Sequence, residues 1–211
     1  MPIFDIVLRI IIMSQIPKYV SVAEAVSAIR SNQRVFIQGS AATPLTLLSA
    51  LEQRSAELKK VELVSISTLG NMNLGKAEYK DSFYFNSLFV SANIRQAVNE
   101  NRGDYIPIFL SEIPKMFNKQ IMPLDVALIH VSPPDKHGFC SLGVSVDIAR
   151  SAVRNSKYVI AQVNPQMPSP RVRGIWGLTW AITYFEFRTA ERAMSTETPS
   201  EQKPCLSGGE T

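Results

Sequence analysis

The stretch from Leu124 to Asp147, LDVALIHVSPPDKHGFCSLGVSVD, does most to limit what this chain can fold into. Leu124, Val126, Leu128 and Val131 fall among small or apolar neighbours in a run too short for a helix, and Pro133 and Pro134 follow at once. Proline has no N–H to give a sheet ladder, so the run reads as a buried strand that stops at the proline pair. Asp135, Lys136, His137 and Gly138 then supply a turn, and Val144 to Lys157 carries a helix-like pattern with Ser141 or Ser145 as its cap. A loop that leaves a buried strand and feeds a helix is where α/β folds place binding groups.

A second stretch has the same form. Arg34 to Gln38 reads as a short strand that runs into Gly39-Ser40-Ala41-Ala42-Thr43-Pro44. Gly39 removes the Cβ that would block close approach to the backbone, and Thr43-Pro44 suits the cap and first turn of a helix from Leu45 to Leu58. Free N–H groups at such a helix start favour an anion or a carboxylate. The same residues also make a plain tight turn.

The remaining elements alternate. Ser21 caps a helix that carries Ala25, Val26 and Ile29 on one face and ends near Ser31-Asn32. Val61 to Ser67 and Phe83 to Val90 read as strands, Asn93 to Asn99 as a short helix, and the stretch around Ile106 as an irregular strand interrupted by Pro107. Ser111 to Phe117 starts another helix, and Tyr158 to Val163 is a further strand ending at Asn164-Pro165. Strands near 35, 64, 86, 106, 127 and 160 with helices between most of them predict an α/β fold, a largely parallel sheet flanked by helices. Asn93, Arg95, Arg102 and Tyr105 are candidates to line a polar cleft, or else surface pairs and caps.

Composition narrows the function classes. With 45% hydrophobic and 19% charged residues the 211-residue chain is globular. A net charge of +4, with no basic run longer than Lys59-Lys60, does not indicate a nucleic-acid surface, and no membrane association is expected. Cys140 and Cys205 lie far apart with no CxxC, which fits a reducing cytoplasm. Residues 1–13 are apolar but carry Asp5 and Arg9 and fall short of the ~20 residues that span a bilayer. They are expected to be a non-native extension, with translation starting at Met13. The expected domain runs from 14 to 168, followed by a divergent, partly disordered tail over 169–211 in which a Ser/Thr/Glu/Pro-rich run succeeds both tryptophans.

The signature SPPDKHGFCSLGVSVD, with VNPQMP at Val163 to Pro168, DYIP, FLSE and the Asn-x-Arg at Asn93, resembles the N-terminal domain of the acetyl-CoA hydrolase/transferase family. That family includes the acetate-, butyrate- and 4-hydroxybutyrate CoA-transferases. The likeness runs roughly from Tyr19 to Pro168, after which relatives continue into a second domain and this chain has Ser169-Pro170-Arg171-Val172-Arg173 instead. It implies a fold of the NagB/RpiA/CoA-transferase type.

The resemblance also implies chemistry. A glutamate carboxylate attacks an acyl-CoA thioester and passes CoA to a second carboxylic acid, or to water in the hydrolases, so coenzyme A thioester is a substrate and no bound cofactor is expected. That glutamate and a Gly-rich CoA-binding motif belong to the family's C-terminal domain, so no catalytic residue carries over here; Glu78, Glu100 and Glu112 do not match its position. What carries over is one wall of an acid-binding cleft. Gln38, Gly39, Ser40 and Thr43 are expected to meet a carboxylate or thioester carbonyl, with Ser132, Asp135, His137 and Gly138 in an adjoining loop.

The expected partners are acyl-CoA, a short-chain carboxylate, and either the missing C-terminal domain or further copies of the chain. Rival readings are a non-catalytic subunit docking onto a separately encoded half, and a sugar-phosphate sensor, which the lack of a basic phosphate cradle disfavours. A Cys140/His137 nucleophile pair has nothing to orient the histidine, and His130, Asp135, His137 and Cys140 do not meet zinc spacing, so no metal is expected.

Overall fold

The computed structural model describes residues 18–134 and 139–167, together with the backbone of two short strands at 187–188 and 193–196. The apolar runs form strands β1 (Lys18–Tyr19), β2 (Arg34–Ile37), β3 (Val61–Ser65), β4 (Phe83–Ser87), β5 (Gly103–Tyr105), β6 (Leu124–Val131), β7 (Phe139–Cys140), β8 (Ser156–Val163), β9 (Phe187–Arg188) and β10 (Ala193–Thr196). Between them lie helices α1 (Val22–Ser27), α2 (Leu45–Gln53), α3 (Ala92–Asn99), α4 (Ile113–Asn118) and α5 (Ala149–Asn155).

Eight strands form one sheet in the order β1-β10-β8-β6-β2-β3-β4-β5, and every adjacent pair is parallel. The six strands expected from the sequence make the body of it. β10, within residues 169–211, is inserted between β8 and the edge strand β1, and β9 pairs antiparallel with β7 outside the sheet. The rest of the expected tail, and residues 1–13, lie outside the described residues.

Parallel sheets are buried on both faces, so their strands read as near-continuous apolar runs. β6 follows this rule: Val126 and Leu128 join the core on one face, while Ala127, Ile129 and Val131 join that on the other. Helices α1, α2 and α3 cover the first face through Val26, Leu47, Leu48, Leu51 and Ile94. The second is covered by α4 and α5 through Met116, Phe117, Ala149 and Ala152. Phe117 meets Phe36 of β2 edge-on, with ring centroids 6.0 Å apart.

Several expected boundaries move. Ser21 caps α1 as expected, its Oγ accepting from Glu24 N–H at 3.2 Å, yet the helix ends at Ser27. The helix expected to reach Leu58 stops at Gln53, and the Arg54 guanidinium at its end reaches back to donate to the carbonyls of Val26 and Ile29. The helix expected from Val144 begins only at Ala149, since Ser145 carbonyl is held by another partner and Gly143 takes a left-handed φ of +66°. A Cβ at Gly143 would fall 2.1 Å from Met167 Sδ, so only glycine lets that turn lie against the segment after β8. Neither Ser141 nor Ser145 serves as its cap; Ile148 occupies that position.

Removing the Phe117 ring leaves a cavity against Phe36. The variant Phe117→Ala is expected to lose about 3–5 kcal/mol, whereas Ile121→Ala, at a side chain 71% exposed, stays within about 0.5 kcal/mol. Urea unfolding of the two variants checks both figures.

Candidate functional site

The chain builds the sheet outward from β2 in two directions: β2, β3, β4 and β5 run one way, and β6, β8 and β10 the other. The order therefore reverses between β2 and β6, and in open α/β sheets ligands bind outside the carboxyl ends of the strands at such a reversal. The Gly39–Thr43 turn leaves β2 there, and the segment beginning at Ser132 leaves β6. Sequence reasoning singled out both.

Gln38 stands at the reversal and is buried. Its backbone N–H donates to Leu128 carbonyl at 3.0 Å, extending the β2–β6 ladder, and its Oε1 accepts from His130 N–H at 2.7 Å. Its Nε2 donates to the carbonyls of Leu142 and Ser145 at 3.0 and 2.8 Å. The amide thus joins β2, β6 and the segment returning toward α5, and the side chain is fully used inside the protein. Ser132 is similarly engaged, accepting from Ser141 N–H at 2.9 Å while its hydroxyl donates to Pro133 carbonyl. Asp135, His137 and Gly138 lie outside the described residues.

The β2–α2 turn is tightly held. Gly39 sits where a Cβ would meet Ser67 carbonyl oxygen at 2.6 Å, so glycine permits the contact. Ser40 adopts a φ of +54°, its N–H donates to Ser67 carbonyl at 2.9 Å, and the turn forms a parallel bridge between Ser40 and Thr68. Thr43 was expected to cap α2, but its hydroxyl donates to Ser40 carbonyl at 2.7 Å and accepts from Leu69 N–H at 3.2 Å. Pro44 takes the cap position with no side-chain cap bond. The expected free N–H groups are partly consumed: Leu45 N–H goes to Thr43 carbonyl, and Leu47 N–H points to Gln162 Oε1 on β8 at 3.4 Å.

What remains open is the mouth between β2 and β3. Ser40 and Ser67 hydroxyls lie 3.3 Å apart, one donating to the other, so one proton of the pair is left for a ligand. Ala41 is exposed beside them, as is Leu69, and Phe89 stands exposed beyond β4. Of the other cleft candidates, Asn93 braces the loop by donating to Thr68 and Gly70 carbonyls, and Arg102 pairs with Glu100 and with Gly75 carbonyl. Arg95 and Tyr105 are exposed.

Sequence reasoning missed Ser67, Leu69 and Gln162. The one available signal was a single polar residue, Gln162, inside the apolar run YVIAQV.

His130, on the α1–α3 side of β6, is buried beside Gln162, with the two Nε2 atoms 3.4 Å apart and its Nδ1 without a partner. Burial holds its pKa down to about 4. Cys140 packs into the core on the opposite face. Among the described residues no group of three His, Cys, Asp or Glu is placed to hold a metal ion.

A sheet whose adjacent strands are all parallel, covered by helices on both faces, with a polar turn leaving β2 beside its switch point, defines a three-layer α/β domain of the open-sheet class. Comparison with known proteins makes it specific: the chain belongs to the acetyl-CoA hydrolase/transferase family, whose N-terminal domain matches residues 13–185. That match continues past Pro168, where the signature resemblance was expected to stop.

The chain is 46% identical over 158 residues to a succinyl-CoA:acetate/propanoyl-CoA:succinate CoA transferase of Fasciola hepatica, covering 74% of this chain and 33% of that one. It is 40% identical over 151 residues to a 4-hydroxybutyrate coenzyme A transferase of Clostridium kluyveri, covering 72% and 35%. It thus spans about a third of the length of these relatives. Among solved structures, RipA from Yersinia pestis superposes with a TM-score of 0.72 at 26% identity, over 90% of this chain and 44% of RipA. The 4-hydroxybutyrate CoA-transferase of Porphyromonas gingivalis, 23% identical, shares the fold with a TM-score of 0.63, over 89% and 41%.

Two predictions follow from the buried amide and imidazole. Gln38→Leu strands His130 N–H and two carbonyls at about 1–3 kcal/mol each, so a loss of at least about 3 kcal/mol is expected in chemical denaturation. The unfolded chain takes up a proton at His130 near pH 6.5, and the folded chain only near 4. Stability contributed by this group is therefore complete above 6.5 and falls by about 3 kcal/mol on acidification to 4. His130→Asn is expected to flatten that part of a stability–pH curve.

Proposed function

We propose that this chain is the acid-binding lobe of a CoA-transferase or acyl-CoA hydrolase. It would help move CoA between a short acyl-CoA, such as acetyl-CoA, and a carboxylate such as acetate, and it is inactive alone. The observation that carries the reading is the Ser40–Ser67 hydroxyl pair between β2 and β3, on the turn leaving β2 beside the switch point, in a domain spanning a third of its relatives' length.

Glutamyl attack needs a free carboxylate at that mouth, able to divide the transfer into two reversible exchanges. Glu100 is hydrogen-bonded to Arg102, which holds its carboxyl below the ordinary range, and Glu112 is paired with Lys115. In this proposal the nucleophile and most CoA contacts come from a second lobe. Coenzyme A enters as substrate, with no other cofactor.

The alternative of a separately encoded partner is favoured by one feature. Phe89 at 62%, Phe109 at 82% and Leu110 at 58% exposure, with Tyr105, form an apolar set on segments leaving the carboxyl ends of β4 and β5. Such groups usually mark a surface that meets another protein, and covering them would also exclude water from the thioester. The proposed setting is the cytoplasm, in keeping with a sequence that has only two widely separated cysteines and no CxxC; no helix among the described residues is long and apolar enough to cross a membrane.

Purified chain mixed with acetyl-CoA and butyrate is expected to form no butyryl-CoA. Adding the remaining two-thirds of the Fasciola relative as a separate polypeptide is expected to yield exchange. Clear exchange by this chain alone would overturn the reading.

A further inference from the structure

The start of α3 serves a neighbouring loop rather than its own helix. Ser and Asn ordinarily cap the helix they open, accepting from its free N–H groups. Ser91 occupies the cap position of α3 yet makes no such bond, and its hydroxyl lies 3.2 Å from that of Thr68. Asn93, half-buried in the first turn, directs its Nδ2 to the carbonyls of Thr68 and Gly70 at 3.0 and 3.1 Å. Departures of this kind from local preference gather where a protein needs a particular geometry elsewhere.

The loop so held is the one that carries Ser67. Ser67 carbonyl accepts from Ser40 N–H at 2.9 Å, Thr68 forms the parallel bridge to Ser40, and Leu69 N–H reaches Thr43 Oγ1. Ser40 stands at a φ of +54°, a left-handed conformation that a residue with a side chain keeps only when its surroundings hold it there. Gly70, at +88°, bends the loop against Leu45, and Asn93 ties together the two carbonyls that flank Leu69.

We propose that Asn93 is the positioning residue of the Ser40–Ser67 hydroxyl pair. By fastening the loop after β3 to α3 it keeps Ser67 where its hydroxyl meets that of Ser40. Resting on the reading of this chain as the acid-binding lobe, the pair so placed is the donor that a carboxylate meets, and Asn93 sets the affinity for that carboxylate without touching it.

Asn93→Asp separates this role from one at the helix start. A carboxylate in the first turn favours the positive end of the helix dipole, so α3 is kept, yet it has no proton for either carbonyl. Hydrogen exchange of the isotopically labelled full chain is read at Ser40 and Leu69 N–H, with Val61 N–H, bonded to Ser82 carbonyl at the far end of β3, as the reference. Asn93→Asp and Asn93→Ala are both expected to speed exchange at Ser40 and Leu69 by roughly tenfold relative to Val61, about the effect of one hydrogen bond. Unchanged ratios would overturn the proposal, as would Asp behaving like the unaltered chain while Ala does not.

In the mixture with the remaining two-thirds of the Fasciola relative, either variant is expected to raise KM for the carboxylate acceptor roughly tenfold while kcat stays within about twofold. A role in stability alone would lower kcat through the active fraction and leave KM where it was, which would overturn the proposal. If the unaltered chain transfers no CoA in that mixture, the acid-binding reading falls, and the hydrogen-exchange ratios alone decide whether Asn93 places the pair.

Discussion

The side-chain amide of Gln38 is the contact on which the switch point depends. Where β2 ends, its backbone no longer offers β6 a partner, and the Gln38 carbonyl oxygen takes the next N–H in turn, that of His130. The same amide's two N–H groups hold the segment that returns from β6 toward α5. One planar group therefore sets how far the two central strands stay joined and where the loops above them part. A methyl or carboxylate in its place would leave several buried backbone groups without partners, a larger loss than any single surface pair on this protein provides.

The neighbouring turn is built by the same economy of small groups. Gly39 lets the backbone of β2 touch that of the β3 loop, Thr43 ties the turn to Leu69, and Gln162 reaches across from β8 to an N–H in the first turn of α2. Most polar groups at the carboxyl edge are consumed in this way, which makes the edge rigid. The hydroxyls of Ser40 and Ser67 keep a proton to spare, with Ala41 and Leu69 exposed on the same two loops.

The fold was largely legible in the sequence because parallel strands buried on both faces leave a plain trace. The runs at Arg34, Val61, Phe83, Leu124 and Tyr158 each became a strand of the sheet, and Ser21 marked a helix start through a bond confined to three residues. Legibility failed where the deciding partner lies far along the chain. Thr43 looks like a cap until Leu69 and Ser40 compete for its hydroxyl. Gln38 looks like a ligand-facing donor until β6, ninety-two residues on, claims its oxygen. The turn at the end of β2 was thus visible in the sequence, while the division between bracing groups and open ones needed the packed structure.

The placement of β2 between β3 and β6 has a consequence for the growing polypeptide. The β2–β3 pair can form locally, yet the other side of β2 must wait for strand residues about ninety positions later, as the bond from Arg34 N–H to Asp125 illustrates. At ribosomal speeds of about 5–20 residues per second that is an interval of roughly 5–20 seconds. Throughout it, the most apolar strand edge of the nascent chain lies unpaired and able to join a neighbour's, so synthesis of this fold invites shelter by a chaperone.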